Sequence, residues 1–217
     1  MSPNRSFTAF SFSIICVLLL GIAGCGGGGG GSSAPAAGPT AVFPTQDPDV
    51  DEVGESKRFD LSGTATQDGQ SESLAGSITV TRKPNEVIDN QEVTVDDLLL
   101  VVRFNSLGAT VSVGTTTYAT LNGGFVSSVD QDGVICLPGS SYREIPATVR
   151  IGDAGVLGSV TCSDGASISG SYLVEVSDRN RAWAAIRQYA TYSESGTDIY
   201  EDIAYHVSTD GRVRAVE

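Results

Sequence analysis

From Ser56 to Glu217 the chain is a succession of short segments in which apolar and polar side chains alternate, with Val, Ile, Thr and Tyr favoured. Gly, Asn, Asp and Pro break one segment from the next. Alternation at period two gives an extended strand one face of each kind, and the breaking residues are those that supply turns. A single stretch of about 160 residues built this way is one domain's worth of chain. Its expected class is all-β, an antiparallel β-sandwich or a β-barrel-like domain.

The pattern predicts strands near 59–66, 74–82, 91–95, 98–105, 110–121, 125–129 and 133–137, then 147–151, 157–162, 167–176, 181–192, 198–208 and 212–216. Leu98-Leu99-Leu100-Val101-Val102 is apolar at both parities, which predicts a central strand covered on both faces. Ile203, Tyr205 and Val207 share one parity, and Asp202, Ala204, His206 and Ser208 share the other, which predicts one wet face and an exposed histidine. Residues 179–192 fit a helical period and a strand period, and the flanking aromatic residues favour strand. Asp-Gly pairs at Asp132-Gly133, Asp164-Gly165 and Asp210-Gly211 sit where a hairpin needs positive φ. Asp130 and Asp132 are better explained by side-chain-to-backbone bonds in such a turn than by a metal.

Residues 25–55 carry no apolar periodicity: glycines, Ser, Ala and Pro lead into Asp47, Asp49, Asp51, Glu52 and Glu55. That composition reads as a disordered, solvated tether. Asp47-Pro48-Asp49-Val50-Asp51 has the spacing of a calcium loop, but Glu52 stands where glycine is needed and Arg58 where the closing glutamate belongs.

The N-terminus has Arg5 ahead of an apolar run from Ile14 to Ile22, the charged-then-apolar layout of a secretory signal. A membrane span needs about 20 apolar residues, more than this run offers. The run ends in Ile22-Ala23-Gly24-Cys25, followed by Gly26 to Gly31. In this it resembles the bacterial lipoproteins, whose signal peptide closes in such a lipobox. The resemblance implies removal of residues 1–24, lipidation of Cys25 as the first mature residue, and anchoring in the cell envelope. Gly26, rather than Asp, after the cysteine implies outer-membrane delivery. It covers only the N-terminus and implies nothing about the domain that follows.

Export bears on the other cysteines. With Cys16 removed and Cys25 lipidated, Cys136 and Cys162 remain as an even pair in an oxidising compartment, where a disulfide is expected. The formal net charge of −13 makes nucleic acid an improbable partner and disfavours flat docking on anionic lipid. Membrane attachment would therefore rest on the lipid of Cys25.

Chemistry has few residues to use. The single histidine, His206, rules out a His-Glu-x-x-His zinc site, and neither Lys57 nor Lys83 lies in a phosphate-binding loop. Gly165-Ala166-Ser167-Ile168-Ser169-Gly170 approaches a nucleophile elbow, but Ser169 takes the place of the second glycine. Asp96-Asp97 and Glu201-Asp202 are adjacent pairs, which on a strand point to opposite faces. Trp183, Tyr189, Tyr192, Tyr200 and Tyr205 cluster late in the chain, either as packing or as a binding surface. The expectation is a non-enzymatic envelope module with no metal or cofactor, binding an envelope protein or glycan. The alternatives are a small envelope hydrolase using His206, favoured if a serine and a carboxylate lie within its reach, and a barrel holding an apolar ligand.

Overall fold

The computed structural model describes residues 40–45, 52–67, 70–106, 108–194 and 197–217. The signal segment, Cys25 and the calcium-like spacing of residues 47–51 lie outside the described residues. Among the described residues every regular element is a strand. They are β1 (Val42–Pro44), β2 (Ser56–Gln67), β3 (Gln70–Ile88), β4 (Gln91–Phe104), β5 (Thr110–Thr120), β6 (Phe125–Asp130) and β7 (Ile135–Pro138). Then come β8 (Thr148–Arg150), β9 (Ala154–Cys162), β10 (Ser167–Val176), β11 (Ala184–Glu194), β12 (Thr197–Val207) and β13 (Val213–Val216).

Eleven of these close into a barrel in the order β10-β11-β12-β13-β2-β3-β4-β5-β6-β7-β9. All neighbours are antiparallel except β13 and β2, which meet in parallel at Val216 and Leu61 and seal the ring. The three Asp-Gly turns behave as the sequence implies. Gly133, Gly165 and Gly211 all take positive φ, Asp130 Oδ1 accepts from the amides of Asp132 and Val134, and Asp164 Oδ1 accepts from the Ala166 amide.

An eight-stranded barrel has an interior that side chains alone can fill. Eleven strands leave more room, and a second small sheet helps to fill it. β1 pairs antiparallel with β8, Phe43 opposite Val149, and Thr45 donates both its amide and its hydroxyl to the carbonyls of Ala147 and Pro146. Phe43 is 0% exposed and packs in one core cluster with Leu98, Leu100, Ile186, Ile203 and Tyr205. Strand β1 lies inside the stretch 25–55 expected to be tether, so that expectation is corrected for residues 42–44, a strand whose Phe43 enters the core while Val42 stays exposed. Their sequence gives no periodicity because three residues cannot show one.

One further expectation changes, and the choice of strand over helix for 179–192 holds from Ala184 onward. Residues 91–104 form one strand, β4, whose Leu98, Leu100 and Val102 point inward while Leu99 is 45% exposed. It is not covered on both faces; the wall has water on one side. The ambiguous segment 179–192 is strand from Ala184 onward, with a turn over 178–183 before it. Outward positions on β10 are Ser167, Ser169 and Ser171, and on β5 Ser112 and Thr116. A lipid-facing barrel has the reverse arrangement, an apolar wall. At these positions of β10 and β5 the outer wall is polar.

Cys136 and Cys162 lie directly opposite each other on β7 and β9 and form a disulfide, with Cα atoms 3.9 Å apart and a sequence separation of 26. Chain-entropy arithmetic for a loop of this size gives about 3–4 kcal/mol.

Candidate functional site

The aromatic cluster divides by parity. Tyr192 and Tyr205 point into the barrel and are buried, and Trp183 is half-buried in the turn before β11. Tyr189 and Tyr200 point outward, 39% and 76% exposed. Tyr189 pairs with Asp202 and Tyr200 with Thr191 on neighbouring strands, so the two rings are diagonal neighbours on one outer face. Val156, opposite Ser171, extends this exposed apolar strip across β9 and β10. The arginine beside it, Arg187, is held by Asp202 at 2.9 Å.

The adjacent carboxylates do point apart. Asp96 turns inward to Arg82 at 2.7 Å, while Asp97 turns outward to Lys83 at 2.9 Å. Asp202 lies on the outer wall and Glu201 faces the interior beside Ala190, its Oε2 covered and without a hydrogen-bond partner. Both amide atoms of the buried Gln188 are likewise without partners. Burial pushes the Glu201 carboxyl up to about 8.

That shift has a sign. In the unfolded chain Glu201 ionises near 4.5, whereas the folded barrel keeps the proton until about 8. Between these values the unfolded state binds fewer protons, so the stability present below the lower value is lost as pH rises through the upper one. Glu201→Gln should therefore match the parent at pH 5 and exceed it at pH 9 by on the order of 3 kcal/mol. Urea unfolding at the two pH values reads this directly, and a gap that stays constant with pH would refute it.

His206 is not on a wet face. It is 1% exposed, because the turn over 178–183 and the C-terminal Glu217 cover the outer side of β12. Ala185 opposite it leaves room for the ring. Nδ1 stands 2.7 Å from Ser177 Oγ, and Nε2, 3.7 Å from Glu217 Oε2, has no hydrogen-bond partner. Burial lowers the His206 pKa most; Glu217 and Asp178 pull it up and Arg179 pushes it down, and the balance lies below the ordinary value. The imidazole is therefore neutral near pH 7.

A serine within reach is the feature that would favour a hydrolase, but the arrangement is a poor one for attack. In a catalytic triad the serine sits on Nε2 and the carboxylate on Nδ1; here the two are exchanged, and Glu217 is outside hydrogen-bond range. Ser177 is buried, and its Oγ also accepts the amides of Arg179 and Asn180 at 3.2 and 3.4 Å, which fixes the turn. Its hydroxyl is not presented to a substrate.

The seam between β2 and β13 opens into a groove of about 360 Å³, lined among others by Lys57, Arg58, Asp60, Arg179 and Arg214. Its cations are largely engaged: Arg179 Nε donates to Glu217 Oε1 at 2.6 Å, and Arg214 meets Asp210 at 3.2 Å. Tyr189 and Tyr200 were among the five aromatic residues the sequence offered as a possible binding surface, whereas the burial of His206 and this groove were not read from it. The signal for the tyrosines is parity within a strand: Tyr189 is opposite to the buried Tyr192 on β11, and Tyr200 to the buried Tyr205 on β12. The chain matches no family model, and no curated protein or solved structure is similar to it.

Proposed function

We propose that this chain is a lipid-anchored, non-enzymatic module of the bacterial cell envelope that binds an envelope protein or glycan through the outer wall of its barrel. The observation that carries the binding part is the Tyr189–Tyr200 pair, two exposed rings that are diagonal neighbours on the outer face of β11 and β12. Tyrosine offers a flat apolar face with a polar tip, which suits sugars and peptide surfaces, and aromatic residues are common interface anchors. The anchoring part rests on Ile22-Ala23-Gly24-Cys25. The Cys136–Cys162 disulfide fits an oxidising compartment, and outer-membrane delivery rests on Gly26.

Cys25→Ser should move the protein from the membrane to the soluble envelope fraction, with the lipid mass lost from its N-terminal peptide. A mature N-terminus beyond Ala37 without lipid would refute the anchor. For the wall, the double variant Tyr189→Ala and Tyr200→Ala should lose retention on isolated envelopes while its stability changes little, since surface substitutions are usually within about 0.5 kcal/mol. Unchanged retention would remove the tyrosine pair from the proposal.

A further inference from the structure

We infer that Asp178, His206 and Glu217 form a binding site for a divalent transition-metal ion of the zinc type. One ligand atom from each residue lies within 4.8 Å of the others. Zinc bonds nitrogen and carboxylate oxygen at about 2.0–2.2 Å, so donors sharing one ion stand roughly 3–4 Å apart. The 3.7 Å between His206 Nε2 and Glu217 Oε2 already meets this, and exposed Asp178 holds a carboxylate oxygen within 4.8 Å of both.

The independent pointer is the histidine. A fully buried Nε2 without a hydrogen-bond partner, aimed at a carboxylate beyond hydrogen-bond range, is a ligand atom waiting at the floor of a site. Nδ1 is engaged by Ser177 Oγ at 2.7 Å. In the tautomer with the proton on Nδ1, that bond orients the ring and leaves the Nε2 lone pair facing Glu217, the outer-shell arrangement usual for metal-bound histidine.

Arg179 counts against the site by its charge, but its Nε binds Oε1 and so turns Oε2 toward the imidazole. Asp178 and Glu217 form the rim open to solvent, which is the way in. One imidazole with two carboxylates suits a borderline-soft ion better than calcium or magnesium, which take oxygen ligands. The three residues follow or lie on β10, β12 and β13, and β13 is the strand that seals the ring against β2. A bound ion would therefore clasp the closing strand to its neighbours.

Zinc chloride titrated by calorimetry into the chelator-treated full-length chain should show one saturable site in the micromolar range and raise the melting temperature. Asp178→Asn, at the exposed rim, keeps the fold and should weaken binding about tenfold or more; Glu217→Gln should do the same. His206→Ala should abolish binding, and the rim variants carry the test if its fold is lost. Calcium chloride should not bind at this site. The inference is overturned if the parent shows no saturable zinc binding, if zinc binds the two rim variants as tightly as the parent, or if calcium competes at equal concentration.

Discussion

Replacing Asp96 with alanine should destabilise the barrel by about 3–5 kcal/mol, among the largest effects available to a single substitution here. Arg82 and Asp96 sit opposite each other on β3 and β4, both buried, with Nε and Oδ1 2.7 Å apart. Burial pushes the Asp96 carboxyl up and the guanidinium draws it back, and the net position stays above the ordinary range. Desolvation thus offsets most of the attraction, and the pair contributes little net stability as it stands. Removing only the acid is different, because it leaves Arg82 as an uncompensated charge between Val80 and the interior. The double variant Arg82→Met and Asp96→Leu should recover most of the loss, since apolar side chains of similar size can replace such a pair at little cost. Asp97→Ala, one residue away on the wet face, should cost less than about 1 kcal/mol, because the Lys83–Asp97 pair is half-exposed. Urea unfolding of the three variants separates these cases. A loss below about 1 kcal/mol in Asp96→Ala would show that the site collapses or admits water.

The all-β class was legible because alternation and turn chemistry are local: the hairpin glycines took the positive φ that their Asp-Gly context implies. Closure was not, because it depends on a parallel contact between Leu61 and Val216 at opposite ends of the domain. Nor was the role of Phe43, whose partner on β8 is remote in sequence and whose flanks are Gly, Ala and Pro. The inward position of Arg82 could have been read, since it shares parity with Ile78 and Val80. His206 could not, because alternation says which face a side chain takes and not whether another segment lies over that face. The turn after β10 and the last residue of the chain cover it, and both are irregular. The consequence is practical: His206→Ala, which exposure would make nearly silent, should instead empty a buried site, remove the Ser177 Oγ–Nδ1 hydrogen bond and cost about 1–3 kcal/mol.

Gly158→Ala should cost about 3–5 kcal/mol, from two causes that add. The first is conformational: Gly158 has φ of 78°, a region in which a side chain costs about 1–2 kcal/mol. The second is steric. A Cβ at this position would stand 2.3 Å from the Ser141 carbonyl oxygen and 2.9 Å from Tyr142 Cα, backbone atoms that cannot turn aside as a side chain would. The approach is that close because the segment after β7 continues along the edge of β9: the Gly139 amide donates to Ser159 O and the Arg143 amide to Leu157 O, both at 2.8 Å. Gly158 lies between those two anchor points, so relief requires breaking one of them. Gly165→Ala separates the two causes, because Gly165 has φ of 93° but nothing within 4 Å of the place its Cβ would take. It should cost only the conformational part, about 1–2 kcal/mol. For a domain near this size each kcal/mol shifts the melting temperature by about 2–4 °C, so thermal unfolding should show Gly158→Ala melting several degrees below Gly165→Ala. Equal melting temperatures would mean that the 139–143 segment yields without cost, and that its docking on β9 contributes nothing to the barrel.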